Sequence, residues 1–555
     1  MNLFEQIQQK FTDFLHQKFG IEHFSGISSP FLSINTDEQK QQFGDLNSSI
    51  ALALAKSLKK NPKEVAQGII DKFSDPLISY GEVAGPGFLN FFLTNNAFQH
   101  ITQEFAQQKE QFFKLDAFHP KKIISLEFVS ANPTGPLHIG HGRGGIIGDV
   151  LGNILRFLGH EVIKEFYIND AGAQIAKLGT SFKIRCQQVA GHADAVLPED
   201  AYHGDYLIDL AQRCIAQYGP SLVDKPDDFF ATYAKEYCLE QIRHTLESYG
   251  IEFDNWFSEK ILHESGAVEQ AINTLRDHDY IYEKDGALWF ASTQFGDDKD
   301  RVVQKASGEL TYVAADCAYL NNKIARGAQE LIMVLGQDHH SYAVRLQGAL
   351  KALGLSDHPL YVILYQLVSI KQDGQLMRMS KRRGSMVTLD DIINTVGKDV
   401  ARYFYLHRKA DAHLDFDLEL ALKKTDENPV YYVQYAYVRA KSILQKAALI
   451  QSFVHHLGTL QTQELFFDAD ERLLVKKIVT LKQVLLDINN HHQTHQLAYY
   501  VHELAQFFNR YYHTHHVLNE ANIEHSLHRL ALTQHVHETL GTVFKLLGIS
   551  CPEHM

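Results

Sequence analysis

Two histidines separated by two residues, His138 and His141, stand where a strand pattern gives way to a helix pattern. The apolar run 123–129 predicts a buried strand. Pro133 and Pro136 then prevent a helix from beginning before His138. A helix N-terminus offers unpaired N–H groups and positive potential, which suit a phosphate. Two imidazoles there could donate hydrogen bonds to a triphosphate whose charge shifts, which would be electrostatic rather than covalent catalysis.

The elements around this histidine pair predict a βαβ unit. After His141, apolar residues recur at helical spacing as far as residue 158, and glycines at 140, 144, 145 and 148 leave room for a strand or a ligand to approach. A second strand is predicted at 161–167. Parallel strands joined in this way bind ligands at their carboxyl ends, so the nucleotide is expected beside Gly140.

Two other interpretations of the pair come from the residues alone. An isolated His-x-x-His is equally well explained as two ordinary polar residues at a helix start. Zinc binding fits less well, because helical metal pairs favour i, i+4 spacing and no third ligand follows at a recognisable spacing. The residues therefore predict no metal ion held by the protein itself.

The loop in front of the pair decides between these interpretations. Residues 131–141, Ala-Asn-Pro-Thr-Gly-Pro-Leu-His-Ile-Gly-His, resemble the HIGH signature of class I aminoacyl-tRNA synthetases. The Ala-Asn-Pro-Thr-Gly-Pro part is similar to the arginyl-tRNA synthetases in particular. This resemblance implies an α/β fold with a Rossmann-like class I synthetase catalytic domain. It also implies that His138, Gly140 and His141 bind ATP, and that the two histidines are catalytic.

A second nucleotide element is expected downstream in such a family. Residues 378–384, Arg-Met-Ser-Lys-Arg-Arg-Gly, resemble the KMSKS loop and lie between a strand-like run at 361–370 and a helix predicted to start at Thr388. Considered alone, the segment could be a solvated basic turn. The resemblance implies that Met379, Ser380 and Lys381 bind ATP, with Lys381 catalytic through its charge on the phosphates. Arginines replace the first lysine and the last serine of the motif, which leaves the role of Arg382 open.

A tyrosine and an aspartate four residues apart, Tyr312 and Asp316, are predicted to share one helical face and could enclose one group. A carboxylate can bind a guanidinium through two parallel hydrogen bonds, which a lysine ammonium cannot reproduce. Without the family context the two residues would be an ordinary surface pair. The family resemblance implies an arginine site made of Glu127, Asn132, Tyr312, Asp316 and Gln337.

The segment that contains Gln337, Gly-Gln-Asp-His-His at 336–340, follows a predicted strand. The resemblance places Gly336 and Asp338 in the ATP site. A metal site at the consecutive Asp-His-His residues is disfavoured, because consecutive residues rarely converge on one ion.

Composition predicts a large cytoplasmic enzyme. The chain has 555 residues, 45% of them hydrophobic, and a formal net charge of -13, so tRNA binding would need local basic patches against a repulsive background. Five scattered cysteines are typical of reduced thiols. The longest nearly apolar run, 360–370, is too short to span a bilayer, and residues 1–19 lack the features of a signal peptide. We expect a monomer with no DNA and no membrane partner.

Four segments are predicted along the chain. The resemblance extends to both ends, through Gly-Glu-Val-Ala-Gly-Pro-Gly at 81–87 and Asn-Pro-Val-Tyr-Tyr-Val-Gln-Tyr-Ala at 428–436. It implies an α+β N-terminal tRNA-contacting domain at 1–115, a catalytic domain at 120–395 with a helical connective insertion at about 185–300, a connecting segment at 396–426, and an all-α anticodon-binding domain at 427–555.

Aromatic residues along the first helix of the last segment could contact tRNA, and Tyr435 and Arg439 are the predicted contacts. The alternative is that this aromatic stripe belongs to the hydrophobic core of the helices.

The resemblance implies the activity of an arginine–tRNA ligase. Arginine and ATP would give arginyl-adenylate and pyrophosphate, with Mg²⁺ accompanying ATP, and the arginyl group would then pass to the 3′ end of tRNA(Arg). A class I synthetase of another specificity, or an HxGH nucleotidyltransferase, does not explain both end domains together with Tyr312 and Asp316. A non-catalytic tRNA-binding paralogue has no chemical need for His138, His141 and Lys381 together.

Overall fold

The computed structural model describes residues 2–24, 31–115, 119–192, 194–372, 374–377, 387–454 and 466–555. Three of the predicted ATP residues, Met379, Ser380 and Lys381, lie outside the described residues.

The N-terminal part is an antiparallel sheet covered by helices. Its elements are α1 (Leu3–Phe19), β1 (Ser33–Ile34), β2 (Leu46–Ser48), α2 (Ile50–Leu58), α3 (Pro62–Ile70), β3 (Ile78–Ala84), β4 (Phe88–Leu93) and α4 (Asn95–Gln108). The four strands pair in the order β1-β2-β4-β3. Helix α1 begins at a capping box made by Asn2 and Glu5, and its buried face carries Phe4, Ile7 and Phe11. The amphipathic pattern of the sequence therefore corresponds to an α+β unit, as predicted.

The central part is built on parallel strands. Its elements up to residue 325 are β5 (Ile123–Phe128), α5 (Ile139–Leu158), β6 (Glu161–Ile168), α6 (Ala173–Val189), α7 (Tyr206–Tyr218), α8 (Asp227–Ser248), β7 (Asn255–Ser258), α9 (Lys260–Glu264), α10 (Ala267–Asp277), β8 (Ile281–Lys284), β9 (Ala287–Phe290), β10 (Arg301–Gln304) and α11 (Tyr312–Ala325). They are followed by β11 (Glu330–Gly336), α12 (His340–Ala352), β12 (Leu360–Tyr365), β13 (Val368–Gln372), β14 (Gln375–Met377), α13 (Leu389–Val396), α14 (Lys398–Leu406), β15 (Leu414–Asp417) and α15 (Leu418–Leu422).

The main sheet has five parallel strands in the order β12-β11-β5-β6-β7. The chain runs outward from β5 to β6 and β7, then returns to add β11 and β12 on the other side of β5. This reversal opens a crevice at the carboxyl ends of β5 and β11, the place where open α/β sheets bind ligands. The sheet and its covering helices confirm the predicted Rossmann-like α/β class.

The apolar run at 361–370 is not one strand. It breaks after β12, and β13 belongs to a separate three-stranded sheet with β14 and β15. The break is held by the fully buried Arg143 of α5, whose Nη1 donates hydrogen bonds to the carbonyl oxygens of Gln366 at 2.8 Å and Ala412 at 2.7 Å. The prediction of one strand was wrong because the partner that bends the chain is more than 200 residues away in sequence.

The interval predicted as a helical insertion, 185–300, is more varied than the sequence indicated. Helices α7, α8 and α10 lie in it, but β7 is the edge strand of the main sheet. Strands β8 and β9 form an antiparallel sheet with β10. The short strands escaped prediction because they are only four residues long, too few for a clear periodic pattern.

The C-terminal part is helical, with α16 (Pro429–Leu449), α17 (Gln451–Val454), α18 (Ala469–His491), α19 (His495–Thr514) and α20 (Ile523–Leu547). Asn428 caps α16 and Pro429 stands at its first position. Helix α18 also contacts the N-terminal part, where the buried Lys476 pairs with Asp45 at 3.0 Å. Among the helices of the described ranges, none combines the length and apolar character needed to cross a bilayer.

A buried ion cluster joins the central part to the C-terminal helices. Asp149 of α5 pairs with Lys164 of β6 at 2.7 Å and with Arg402 of α14. Burial acts to raise the pKa of Asp149, but the two cations outweigh it and the pKa is lowered. Arg402 also donates to the carbonyl oxygens of Leu547, at the end of α20, and Tyr249, after α8. Helix α5, strand β6, helix α14 and the ends of α8 and α20 are thus joined by one carboxylate and its partners.

Replacing Arg402 with methionine should lower the free energy of unfolding by about 3–5 kcal/mol, because Asp149 keeps a buried charge with one partner fewer. Urea-induced unfolding of the full chain, followed by fluorescence, measures the change. Arg276→Met, at an exposed arginine of α10, is the matched control and should leave the unfolding midpoint unchanged. An equal midpoint for both variants would contradict the structural role of the cluster.

Candidate active site

A cavity of about 1060 Å³ lies at the carboxyl ends of the parallel strands. It is lined by residues that follow β5, β6, β7 and β11, by the end of β12, and by one face each of α11 and α12. Because the sheet order reverses between β5 and β11, loops from both directions meet there without a strand in between.

The two histidines of the predicted signature lie side by side at the wall of this cavity. Nδ1 of His138 accepts a hydrogen bond from the Gly140 N–H at 3.1 Å, and Nδ1 of His141 accepts one from the His138 N–H at 3.2 Å. Their rings stack with centroids 3.7 Å apart. A neutral imidazole whose Nδ1 accepts a hydrogen bond carries its proton on Nε2. Both rings are therefore set as Nε2–H donors.

The protonation of His141 follows from its surroundings. Burial, and then the neighbouring His138, lower the pKa of His141 to about 3. The ring is therefore neutral near physiological pH. It can stabilise developing negative charge as a hydrogen-bond donor without first losing a proton.

The turn between β5 and the signature loop is strained. Val129 has φ +66° and Ser130 has φ +40°, a region that a β-branched residue rarely adopts. The Ser130 hydroxyl offsets part of this strain, since it donates to Glu127 at 3.1 Å and accepts from the Tyr167 N–H at 3.1 Å. Strain of this kind concentrates at functional sites and here directs the loop over the strand end.

The other described residues of the predicted ATP site line the same cavity. Gly140, Gly336 and Asp338 are among its walls. A Cβ on Gly336 would lie 2.6 Å from Oδ1 of Asp338, so a side chain there would displace the aspartate. The cavity therefore brings together residues that lie about 200 positions apart in sequence.

The flank of the second predicted motif is tied to the first. Thr388 caps α13, as predicted, and forms a β-bridge with His138. The N–H of Leu389 donates to the carbonyl oxygen of Leu137 at 2.8 Å. Thr388 and Leu389, which follow the KMSKS-like segment, thus lie beside the loop that carries the signature histidines.

Asp316, predicted to bind arginine, is buried at the cavity wall with one oxygen unsatisfied. The hydroxyl of Tyr342 donates to its Oδ1 at 2.6 Å, and no hydrogen-bond partner reaches its Oδ2 among the described residues. Burial raises the pKa of Asp316 to about 7. The Tyr342 hydrogen bond and the charge of Arg345 lower it, while the charges of Glu259 and Glu127 raise it further. A cation in the cavity would stabilise the ionised form.

Glu127, also predicted to bind arginine, lines the cavity, but its charge is balanced within the fold. Nζ of the buried Lys323 is 3.0 Å from Oε2 of Glu127 and 2.9 Å from Oε1 of Glu165. Arg326 pairs with Glu165 at 2.6 Å on the far side. Two cations and two carboxylates alternate along this row of ion pairs. The negative charge of Glu127 is therefore balanced where the side chain faces the cavity.

A fourth carboxylate of the cavity, Glu259, was not predicted. It follows β7 directly, is buried, and has no hydrogen-bond partner for Oε2 in the described part of the chain. Burial raises its pKa, opposed by hydrogen bonds with Tyr167 and His263. Its position just after a strand could have revealed it. Because residues 185–300 were assigned to a helical insertion, strand β7 was not predicted as part of the main sheet, and Glu259 was not predicted at the cavity.

The remaining residues that were predicted to bind arginine also line the cavity. Asn132 and Gln337 line it from the loops after β5 and β11. Tyr312 lines it too, but it is 59% exposed. The enclosure of one group by Tyr312 and Asp316 stays a prediction. The tyrosine whose hydroxyl donates to Asp316 is Tyr342 of α12.

The two residues predicted to contact tRNA lie together on the C-terminal helices. The guanidinium of Arg439 lies 4.6 Å from the ring centroid of Tyr435 and 4.8 Å from that of Tyr512. Its Nη1 donates to Asn509 at 2.9 Å. Tyr435 is 40% exposed, so part of its ring is accessible from solvent.

Sequence profiles of three known domains match the chain in succession. Residues 5–93 match the arginyl-tRNA synthetase N-terminal domain, residues 100–411 the catalytic domain of the class I (R) tRNA synthetases, and residues 433–555 the DALR anticodon-binding domain. The chain belongs to the arginyl-tRNA synthetase family. The resemblance seen in the sequence motifs is therefore confirmed.

Individual members of the family cover the whole chain. The arginine–tRNA ligase of Geobacillus kaustophilus (strain HTA426) is 38% identical over 564 residues, which is 100% of both chains. A Campylobacter jejuni structure assigned to the arginyl-tRNA synthetases is 32% identical, with a TM-score of 0.76 over 83% of this chain and 100% of that chain. The Thermus thermophilus arginyl-tRNA synthetase shares the fold, with a TM-score of 0.74 and full coverage of both chains at 21% identity.

Arginine binding should depend on pH through Asp316. Its raised pKa, about 7, means that a proton must leave before the carboxylate can pair with a guanidinium. The Kd for arginine should therefore fall as the pH rises from about 6 to about 8, with nearly one proton released per arginine near pH 6 and almost none near pH 8. Calorimetric titration in buffers of different ionisation enthalpy measures the release.

Two comparisons sharpen this test. Citrulline, the uncharged near-isostere of arginine, should bind without proton release at either pH. Asp316→Asn should remove most of the proton release seen near pH 6. A Kd for arginine that does not change with pH would show that the guanidinium is bound elsewhere.

Proposed function

We propose that the chain is an arginine–tRNA ligase. It activates L-arginine with ATP to give arginyl-adenylate and pyrophosphate, and it transfers the arginyl group to the 3′ end of tRNA(Arg). The observation that carries the proposal is one cavity in which Asp316 and Glu259 each keep a buried oxygen that lacks a hydrogen-bond partner among the described residues, beside the two imidazoles of the signature loop.

The choice of arginine follows from the arrangement of charge. A guanidinium has five N–H donors in a planar fork, and two carboxylates on different elements can accept from two of its edges. Asp316 comes from α11 and Glu259 from the end of β7. Lys323 already balances Glu127, whereas Asp316 and Glu259 each keep one buried oxygen that no hydrogen-bond donor of the described residues reaches. A neutral amino acid would leave both oxygens buried and unpaired, which is costly.

The activation step needs no covalent link to the protein. The arginine carboxylate attacks the α-phosphorus of ATP, a P–O bond forms, and the bond to the departing pyrophosphate breaks. We assign the Nε2–H groups of His138 and His141 to the phosphate oxygens on which negative charge grows in this step. Donors that are already in place need little reorganisation during the reaction. Gly140, Gly336 and Asp338 would hold the rest of the nucleotide, and Asn132 and Gln337 the arginine backbone groups.

Magnesium is proposed to enter with ATP. Mg²⁺ commonly keeps several waters and binds through substrate phosphates with one or two carboxylates. Within the described ranges, no three or more His, Cys, Asp or Glu side chains form a group that could hold a metal ion. The phosphate oxygens of ATP would therefore supply most of the Mg²⁺ ligands. Among the carboxylates of the cavity, Asp338 is the one we assign to this ion.

The tRNA contacts are proposed at the two ends of the chain. We assign the N-terminal domain, residues 1–115, and the helices of 427–555 to tRNA, with 120–395 as the catalytic domain and 396–426 as its connection. Tyr435 and Arg439 are proposed as contacts because an exposed ring beside a guanidinium can stack on an unpaired base. We further propose a monomer that works in the cytoplasm, where charged tRNA is consumed, without a DNA or membrane partner.

The family resemblance motivates a direct test of the function. Pyrophosphate exchange should depend on arginine and should appear only when tRNA(Arg) is present. The assay is run with each amino acid in turn, with and without tRNA. Exchange with another amino acid would indicate a different specificity, strong exchange without tRNA would count against the assignment, and tRNA binding with no exchange at all would indicate a non-catalytic paralogue.

Lys381 can be tested although it lies outside the described residues. Lys381→Ala should lower the rate of arginine activation by about 10- to 1000-fold, as for the loss of one electrostatic group in the transition state, with little change in tRNA affinity. Lys371→Ala, at a half-exposed lysine of β13 paired with Asp417, is the matched control and should retain activity. If tRNA affinity collapsed while activation survived, Lys381 would be a tRNA contact instead.

A further inference from the structure

Tyr206, the first residue of α7, reaches the signature loop from a distant part of the chain. Its hydroxyl donates a hydrogen bond to the carbonyl oxygen of Thr134 at 2.5 Å, across 72 residues of sequence. Thr134 lies in the loop that carries Asn132 and leads to His138. Tyr206 itself is not among the residues that line the cavity, so it contacts the loop and not the substrate site.

The ring of Tyr206 occupies a slot that two glycines leave open. A Cβ on Gly204 would lie 2.3 Å from Cε1 of the ring, and a Cβ on Gly135 would lie 3.4 Å from its hydroxyl oxygen. A side chain at Gly204 would thus force the ring to move. Burial of the tyrosine also raises its pKa, which keeps the hydroxyl protonated as a donor.

The helices behind Tyr206 form a packed body. We call residues 173–249, which contain α6, α7 and α8, the helical segment. Its own hydrophobic core includes Phe182, Leu210 and Phe230, each buried. Helices α6 and α8 approach so closely that a Cβ on Gly179 would lie 2.6 Å from the backbone of Ala231. The segment can therefore hold Tyr206 in one place.

A second contact of the signature loop leads back to the same helical segment. The loop is joined to α13 by the hydrogen bond from the Leu389 N–H to the Leu137 carbonyl oxygen. The carbonyl oxygen of Leu389 in turn accepts from the hydroxyl of Tyr249, the last residue of the helical segment, at 2.8 Å. The segment thus supports the loop directly at Thr134 and, through Leu389, at Leu137.

We propose that Tyr206 is a positioning residue for the activation reaction, through which the helical segment fixes the part of the signature loop that carries His138. The inference rests on the proposed function. A catalytic donor must be held close to its productive position, and small displacements of a loop can cost a large part of the rate. Tyr206 has no contact with the reacting groups, and it acts through the backbone of the loop.

Tyr206→Phe in the full chain tests this, because it removes the hydroxyl and leaves the ring in its slot. The kcat for arginine-dependent pyrophosphate exchange, with tRNA present, should fall by about 5- to 30-fold. The Kd for arginine, from titration without ATP, should change by less than about 3-fold, because Asp316 and Glu259 lie on other elements. Gly204→Ala, which displaces the ring but keeps the hydroxyl, should reduce kcat in the same way.

A matched control separates positioning from general loosening. Tyr233 of α8 has a hydroxyl that is hydrogen-bonded to Cys214 inside the helical segment, away from the signature loop. Tyr233→Phe should leave kcat unchanged. Equal loss of kcat in Tyr206→Phe and Tyr233→Phe would overturn the proposal, since it would mean that any weakening of the segment has the same effect.

A double-mutant cycle gives the second readout. If Tyr206 acts through the loop that holds His138, its loss should matter little once that imidazole is absent. In the His138→Ala background, Tyr206→Phe should lower kcat by no more than about 2-fold. A loss as large as in the parent chain would overturn the proposal.

The outcomes also separate this proposal from the proposed function. A parent chain that does not charge tRNA(Arg) with arginine would refute the function itself. A parent chain that does so, with Tyr206→Phe and Gly204→Ala of unchanged kcat, would refute only the role of Tyr206.

Discussion

The buried carboxylate of Asp149 is the point on which the arrangement of this protein depends. It holds Lys164 and Arg402, and Arg402 reaches the ends of α8 and α20 as well. A buried ion pair contributes little net stability compared with a well-packed apolar cluster. The role of this one is to fix the relative positions of the elements that it joins. It fixes helix α5, and α5 begins at His138. The chemistry of the cavity is thus connected to the packing of the C-terminal helices.

Charge balance determines what the cavity can accept. Four carboxylates line it, and three of them keep a buried oxygen without a hydrogen-bond partner among the described residues: Glu127, Asp316 and Glu259. For Glu127 the charge of Lys323, 3.0 Å from that oxygen, compensates. Burying these oxygens without a hydrogen-bond donor is unfavourable, and the raised pKa values of Asp316 and Glu259 have the same cause. In the proposed function, the guanidinium of arginine would pair with both groups and remove this cost. The same buried oxygens would then account for the proposed preference for a planar cation.

Local physical chemistry explains why some elements could be predicted. The strand before the signature, the prolines of its loop and the helix after it follow from short-range patterns, and β5 and α5 appear within one or two residues of the predicted bounds. The same holds for the cap at Thr388. The run 361–370 failed because Arg143, remote in sequence, bends it, and Glu259 was missed because the four-residue strand in front of it carries almost no periodic signal.

The sequence by itself determined the family, the class of chemistry and ten of the residues that line the cavity, because signature motifs and helix boundaries depend on neighbours within a few positions. Only the tertiary structure decided which carboxylate oxygens lack a hydrogen-bond partner among the described residues, that Tyr342 rather than Tyr312 hydrogen-bonds Asp316, and that the Tyr206 hydroxyl donates to the signature loop. Those outcomes depend on distances between groups that are 26 or 72 residues apart along the chain. Hydrogen bonds and ion pairs act over a few ångströms, so they can be assigned only once the fold has brought their partners together.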